Sequence, residues 1–483
     1  MIELTPEAGA RQLRDALQAC GADVCLRWPS RTASAAELLE LADRAGQALS
    51  GCGLTNGDVV ALDRLDAADA LPCLLAAWSL GLVVYPLSPR EPAAQLERQL
   101  DQAGAGGVIE PVEKRTTATA TWRGAHGRLR FRPRECNAPA LPAAAATLLR
   151  SSGSGGQPKL IVHGLSQHLT AARSVITPLD LRPGDGWLLS LPHHHVGGLA
   201  IIFRALLASA ELLLPDPGGS LAGTLAALEP THISLVPTQL FRTLRDAPDR
   251  LAAPRLVLMG GGPLSTSLRR RALDEGIALA VSYGSTESTA MISLSARPED
   301  VARPWSAGRP LPHRDVSLVE EGEEGEEGEL RVRGPTLCLG YLAAGRLVDP
   351  RGADGWLATG DLGRIDPGGL LYVLGRRDRM FVSGGENIHP EEIEEALESI
   401  PGIDEAVVVV AGDDEFGQRP VAFIACATPA PRRPEVEAAL RDRLPSFKIP
   451  DSFYHLPAAD GSWKRRPADL LPLLATPERL RPL

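Results

Sequence analysis

The sequence predicts an α/β protein: a large N-terminal domain of helix-covered mixed and parallel sheets, then a small mobile α+β C-terminal domain. Short apolar runs alternate with segments of helical periodicity along most of the chain, the pattern of crossover units whose sheets are covered on both faces. The length of 483 residues exceeds what one hydrophobic core ordinarily serves, so two or three domains are expected. The texture also changes after about residue 375, where Arg376-Arg377-Asp378-Arg379 forms a polar break. The expected division is residues 1–375, a hinge at 376–379 and a mobile domain at 380–483.

Taken in order, Ala35 to Leu49 has helical periodicity, Asp58 to Leu62 reads as a strand, Ala67 to Leu80 as a helix and Leu82 to Leu87 as a strand. The alternation returns at Trp187 to Leu191, Ile201 to Ala208, Glu211 to Leu214, His232 to Val236, Arg255 to Met259 and Ala278 to Ser282. Residues 110–142, rich in Arg, Thr, Ala and Pro, read as a loop-rich connection. The Glu-Glu-Gly repeats of Glu320 to Glu329 read as a solvated acidic hairpin tip, since their glycines leave no anchored metal site. Beyond the polar break come a strand at Met380 to Val382, the loop Ser383-Gly384-Gly385-Glu386-Asn387, and an acidic helix from Glu391 to Ser399 opened by Pro390. Strands at Ala406 to Val410 and Val421 to Cys426, with a helix at Glu435 to Arg443, complete that unit.

Composition narrows the function classes. A 44% apolar and 23% charged chain is typical of globular domains, and a net charge of −10 argues against nucleic acid or an anionic membrane as partner. The chain has no run of about 18 apolar residues, and Met1-Ile2-Glu3-Leu4 lacks a basic region before an apolar core. A cytoplasmic location without membrane insertion is therefore expected, and a homo-oligomer is left open. Seven scattered cysteines with no CxxC pair read as reduced packing residues.

The chemistry is concentrated in two segments. Ser151-Ser152-Gly153-Ser154-Gly155-Gly156-Gln157-Pro158-Lys159 follows an apolar run and can wrap phosphate oxygens with backbone N–H groups, hydroxyls and one ammonium. A Walker loop is excluded, because Pro158 precedes the lysine and Leu160, not a hydroxyl residue, follows it. Only four lysines (114, 159, 448 and 464) stand against 46 arginines, so a lysine closing this loop reads as a chosen compact charge, not as part of a Gly/Ser linker. Tyr283-Gly284-Ser285-Thr286-Glu287 places a ring and a carboxylate four residues apart, suited to stacking on a base and holding magnesium. Together they point to a nucleoside triphosphate that is handled chemically.

These segments, followed by Thr359-Gly360-Asp361, Gly375-Arg376-Arg377-Asp378, Gly384-Gly385-Glu386 with Pro390-Glu391-Glu392-Ile393-Glu394, and a near-terminal lysine, resemble the adenylate-forming superfamily of acyl-CoA synthetases, luciferases and peptide-synthetase adenylation domains. Six motifs in order over nearly the whole chain make the resemblance specific. Finer segments resemble the 2-succinylbenzoate–CoA ligase family of menaquinone biosynthesis: Ser190 to Gly198, Thr231 to Leu240, Phe381 to Glu386 and Glu415 to Val421.

The resemblance implies two half-reactions. A carboxylate attacks the α-phosphorus of ATP, giving an acyl adenylate and pyrophosphate; the small domain then swings, and the thiol of coenzyme A displaces AMP. It implies Lys464 and His195 as catalytic residues, with the lysine bridging carboxylate and α-phosphate and the histidine near the acyl group. Ser151, Ser152, Gly153, Ser154 and Lys159 would hold the pyrophosphate end, and Glu287, with Thr286 and Ser285 beside it, the Mg2+. Tyr283, Gly284 and the turn Gly260-Gly261-Gly262 would enclose the adenine, and Asp361 and Arg376 the ribose. Asp378 would be the pivot, while Gly384 and Gly385 would line the pantetheine tunnel.

Local readings stand beside these. A glycine turn after a strand is common for structural reasons, an Asp at such a place can simply cap, and Lys464 beside Arg465 and Arg466 is also what an ordinary surface lysine looks like. For a distal carboxylate of the acid, Arg204 and Arg242 are candidates, since guanidinium binds carboxylate in two-pronged fashion. Gly155 replaces the threonine usual in the superfamily, and Gly461-Ser462-Trp463-Lys464 replaces its Gly-Lys. Ligation of another aromatic or short-chain acid, loading of a carrier protein in place of coenzyme A, and a non-catalytic nucleotide sensor are the alternatives.

Overall fold

The structure is a computed structural model that describes residues 4–20, 24–89, 91, 93–112, 120–151, 158–216, 218–303, 306–320, 327–383, 386–413, 416–426, 430–457, 467–475 and 480–483. Among these residues two large sheets carry the N-terminal part. In the nine-stranded sheet, strands Ala145–Ser151, Val83–Pro86, Val59–Leu62 and Ala105–Pro111 lie side by side and parallel. Lys159–Gly164 and Gly340–Ala343 continue it antiparallel on one side.

The thirteen-stranded sheet has a parallel run through Val24–Arg27, Glu211–Leu213, Gly186–Leu188, His232–Leu235, Leu256–Met259 and Leu279–Tyr283. It turns antiparallel from Ser293–Ser295 through Ser306–Pro310, Leu371–Arg376, Leu357–Ile365, Gly328–Arg333 and Asp315–Glu320. The parallel strands are apolar along their length because helices cover both faces: Val59–Leu62 and Val83–Pro86 are buried at every position.

Local chemistry sets the helix ends. Ser34 opens helix Ala35–Ser50 with a reciprocal box, its Oγ accepting from the Glu37 N–H (3.2 Å) while its own N–H donates to Glu37 Oε2 (2.7 Å). Thr5 and Asp66 cap helices Pro6–Ala19 and Ala67–Ser79 more simply, their side chains accepting from the Ala8 and Asp69 N–H groups. One finding corrects the sequence reading. Part of the described 110–142 segment is sheet: Ala120–Arg123 and Arg128–Pro133 pair antiparallel and extend the sheet through Ala105–Pro111. Leu129 and Phe131 alternate inward between outward arginines, a period-2 signal masked by the Arg-rich composition.

The small C-terminal part has its own core, in which Ile393, Leu397, Val408, Ile424, Val436 and Leu440 are buried together. It comprises the hairpin Phe381–Ser383 with Glu386–Ile388, helix Pro390–Glu398, the three-stranded sheet Ile403–Asp413, Gly417–Cys426 and Ser452–His455, and helix Arg433–Arg441. None of the hydrophobic clusters among the described residues joins side chains from before residue 376 to side chains after 379. Helix Pro390–Glu398 rests on helix Thr266–Asp274, with Glu395 hydrogen-bonded to Thr266 and Glu398 to Ser265. All seven cysteines are free thiols, and no described helix is long and apolar enough to cross a membrane.

Candidate active site

The site gathers at the carboxyl ends of the parallel strands, where open α/β sheets place their ligands. Strands Ala145–Ser151 and Lys159–Gly164 pair so that Ser151 faces Lys159 across the mouth of the Gly/Ser loop. Ser152, Gly153 and Ser154 lie outside the described residues. Lys159 sits with its Nζ 4.6 Å from the ring centroid of Tyr341, and the Tyr341 hydroxyl donates to Glu287 Oε1 at 3.2 Å. Lys159 and the Glu287 carboxylate are thereby joined through one aromatic ring. Tyr341 was not legible as a site residue; it arrives on a strand pairing, Tyr341 opposite Ile161, that crosses 180 positions of chain.

A second tie runs beneath it. His163, buried on the same strand as Lys159, places Nε2 2.7 Å from the carbonyl of Thr286. Burial pulls its pKa down to about 4, so the ring is neutral and Nε2–H donates to that carbonyl. Strand Lys159–Gly164 therefore carries Lys159 at one end and the support of the Thr286-Glu287 turn near the other.

That turn is held in an uncommon shape. Thr289 and Ala290 both have left-handed φ, 54° and 81°, although neither is glycine. The Ala290 N–H donates to the Ser285 carbonyl (3.1 Å), and the Cys338 N–H donates to that of Glu287 (2.7 Å). Gly284 is required by close approach, since a Cβ there would stand 1.7 Å from the Ala290 carbonyl oxygen. Glu287 is half-buried, with one carboxylate oxygen accepting from Tyr341, which leaves the other for a cation. A single carboxylate supplemented by substrate phosphates is a donor set that suits Mg2+.

The nucleoside side is equally connected. Tyr283 donates its hydroxyl to Asp361 Oδ2 (2.6 Å), while Arg376 Nη1 donates to Asp361 Oδ1 (3.0 Å) and to the Thr359 carbonyl (2.8 Å). Asp361 and Arg376 are direct partners across antiparallel strands, which brings residues 15 apart into contact. Burial raises the Asp361 pKa against the opposing pull of Tyr283 and Arg376. Burial and the adjacent Asp361 carboxylate also hold the Tyr283 phenol well above its usual range, so it remains a donor. Gly260 and Gly261 follow strand Leu256–Met259, next to the strand that ends in Tyr283. A Cβ on Gly260 would meet Ser282 Oγ at 2.8 Å, and Gly261 has φ 76°; Gly262 continues the turn, half-buried.

The remaining predicted residues divide. His195 is the exposed N-cap residue of helix Val196–Leu207, its ring 4.5 Å from that of His194, and the loop before it is so tight that a Cβ on Gly198 would lie 2.1 Å from the Pro192 carbonyl oxygen. Arg204, on the same helix, is 2% exposed: its Nε donates to the Ala200 carbonyl (2.9 Å) and its guanidinium lies 4.4 Å from the Trp187 ring centroid. Arg242 points the other way, exposed on helix Pro237–Asp246 near Asp246, and the structure does not bring it to the site. Asp378 is exposed and accepts from Arg376 Nε (3.1 Å). Lys464, Gly384 and Gly385 lie outside the described residues.

A lysine at the Gly/Ser loop, a half-buried carboxylate tied to it through a ring and an Asp–Arg pair, set on helix-covered sheets, fit a nucleotide-handling enzyme of the adenylate-forming class. The chain belongs to the AMP-binding enzyme family, whose model matches residues 13–342, with the AMP-binding enzyme C-terminal domain matching residues 392–460. It is 33% identical over 425 residues to a 2-succinylbenzoate–CoA ligase of Salmonella typhimurium, covering 84% of both chains. Its fold superposes on o-succinylbenzoate CoA synthetase from Bacillus subtilis in complex with an acyl-adenylate intermediate, with a TM-score of 0.81, 27% identity and 97% of each chain covered. The same Bacillus subtilis enzyme in complex with ATP and magnesium ion matches with a TM-score of 0.78 and 27% identity, covering 92% of this chain and 95% of that one.

Proposed function

We propose that this chain is an ATP-dependent acid–CoA ligase that activates 2-succinylbenzoate as its acyl adenylate, releases pyrophosphate and passes the acyl group to coenzyme A, a step of menaquinone biosynthesis in the cytoplasm. The reading is supported by two ties at the ends of the segment 283–287: Lys159 to Glu287 through Tyr341, and Tyr283 to Asp361 and Arg376. A carboxylate becomes an acylating agent only when its oxygen gains a good leaving group, and phosphoryl transfer is governed by fixed charge. Lys159 supplies charge at the phosphate end, Asp361 and Arg376 grip the ribose, and Tyr283 borders the base. Mg2+, held by Glu287, neutralises phosphate oxygens when bound. His195 stands at the acyl group, and Arg204 meets the carboxylate of the acid that does not react. Lys464 completes the adenylation site, and the small domain then turns about Asp378 to bring Gly384 and Gly385 to the pantetheine arm.

The test is turnover of purified protein with ATP, Mg2+ and succinylbenzoate, reading pyrophosphate without coenzyme A and thioester with it. Faster turnover of benzoate or fatty acids would remove the substrate assignment. Transfer to a carrier protein but not to coenzyme A would favour the loading enzyme, and ATP bound unchanged with every acid would favour a sensor.

A further inference from the structure

Segment 336–342 sews the strand that begins at Lys159 to the turn that carries Glu287. The Cys338 N–H donates to the Glu287 carbonyl (2.7 Å), the Thr336 carbonyl accepts from Thr289 Oγ1 (2.7 Å), and the Leu339 N–H donates to the Val162 carbonyl (2.8 Å). Gly340, Tyr341 and Leu342 then lie opposite Val162, Ile161 and Leu160, so the pairing stops one residue short of Lys159. Close packing fixes the course of this strand, since a Cβ on Gly340 would lie 2.7 Å from the Val348 carbonyl oxygen. The backbone of the turn is thus secured by hydrogen bonds that do not involve the Tyr341 side chain.

That side chain meets two opposite charges. Lys159 Nζ lies 4.6 Å from the ring centroid, and the hydroxyl donates to Glu287 Oε1 at 3.2 Å. Among the described residues Lys159 and Glu287 form no ion pair with each other or with any other group. An ammonium and a carboxylate at one mouth attract each other, and once paired each is a poorer partner for phosphate or for a cation. The ring face offers the ammonium a different contact, and the hydroxyl offers the carboxylate a donor without charge. Burial and the Glu287 carboxylate hold the phenol well above its usual range, so the hydroxyl keeps its proton.

We infer that Tyr341 is a positioning residue for the metal and the triphosphate: its ring keeps Lys159 from closing onto Glu287, and its hydroxyl fixes one oxygen of that carboxylate, leaving the second for the cation. The inference rests on the reading that Glu287 holds Mg2+ and Lys159 meets the phosphates. Tyr341 acts through these two residues and takes no part in the chemistry itself. Removing the hydroxyl alone loosens the carboxylate, whereas removing the ring as well lets the two charges pair.

The test titrates Mn2+, in place of Mg2+, into the whole protein with α,β-methylene-ATP, an analogue that cannot be cleaved at the α-phosphate, and reads bound Mn2+ by electron paramagnetic resonance. Wild type is compared with Tyr341→Phe, Tyr341→Leu and Glu287→Gln. In Tyr341→Phe the Kd for Mn2+ should rise about three- to tenfold, the scale of one half-buried hydrogen bond. The analogue at saturating Mn2+ should bind as in wild type, because the ring still holds Lys159. In Tyr341→Leu the Kd for Mn2+ should rise further, and that of the analogue by a similar factor. AMP, which lacks the β- and γ-phosphates, should bind all of them as it binds wild type in calorimetry. An equal loss for AMP makes Tyr341 a packing residue and overturns the inference. Weaker Mn2+ binding in Glu287→Gln with wild-type binding in Tyr341→Phe overturns the role of Tyr341 alone. Unchanged binding in Glu287→Gln removes the magnesium assignment itself, and the role of Tyr341 with it. Should Tyr341→Leu not fold, the Mn2+ constant of Tyr341→Phe decides.

Discussion

At the scale of single residues, function rests on charges whose partners are far away in sequence. Among the described residues the Glu287 side chain is hydrogen-bonded to Tyr341, so Glu287→Gln should leave the fold intact while removing the carboxylate proposed to hold the cation. The expected outcome is a 10²–10³-fold loss in adenylation rate and a higher Mg2+ concentration for half-maximal activity, read by pyrophosphate release during a magnesium titration. Arg204→Ala should raise the KM for succinylbenzoate by roughly one to two orders of magnitude, the effect of leaving a buried charge unpaired. Arg242→Ala, on the exposed helix face, should change nothing. Steady-state kinetics of the two variants separates them. Lys159, Glu287 and Asp361 were legible as candidates because each stands in a short motif whose residue types suit phosphate, magnesium and ribose. Tyr341 and His163 were not, since each joins these residues through tertiary contacts that no local window contains.

At the scale of elements, most of the helices and buried parallel strands that were read lie within a residue or two of their ends, because periodicity and caps are local signals. Trp187 to Leu191 overran strand Gly186–Leu188 by three, and Ile201 to Ala208 missed the first five residues of helix Val196–Leu207. The 110–142 hairpin was misread where composition outweighed alternation. Helix Pro390–Glu398 shows what an element adds to its residues. Burial, aided by Glu394, pushes the Glu398 carboxyl up to about 7 from an ordinary 4.5, against hydrogen bonds from Ala406 and Ser265. A carboxyl with a raised pKa binds its proton more tightly in the packed state. Its contribution is therefore full below pH 4.5 and is lost as pH rises through about 7. Hydrogen exchange of this helix should accelerate between those limits, and Glu398→Gln should flatten the dependence. A profile identical in the two proteins would show that Glu398 does not control the packing.

At the scale of the whole molecule, two domains are expected to share one reaction in sequence. Lys464→Ala should slow adenylate formation by about 10²–10³ while converting supplied acyl adenylate and coenzyme A at near wild-type speed. Gly385→Leu should do the reverse, blocking the thiol's approach while pyrophosphate release persists. Assaying each half-reaction separately in both variants decides the matter, and normal adenylation by Lys464→Ala would make that residue an ordinary surface lysine.

The connection between the domains sets how such a turn can proceed. Arg376 is pinned to Asp361 and the Thr359 carbonyl, and Arg377 to Glu329, all on the large-domain side. Arg379 is pinned to Glu391, Glu394 and the Val408 carbonyl on the other. Asp378 lies between these anchors, its carboxylate accepting from Arg376, so a turn about it would have an axle essentially one residue long. A slack tether would let the small domain wander through a volume and find its second station by random search. A turn about a single pair of torsions would instead make it sweep an arc, with the two stations as stops on one track and almost no configurational freedom to lose on reaching either.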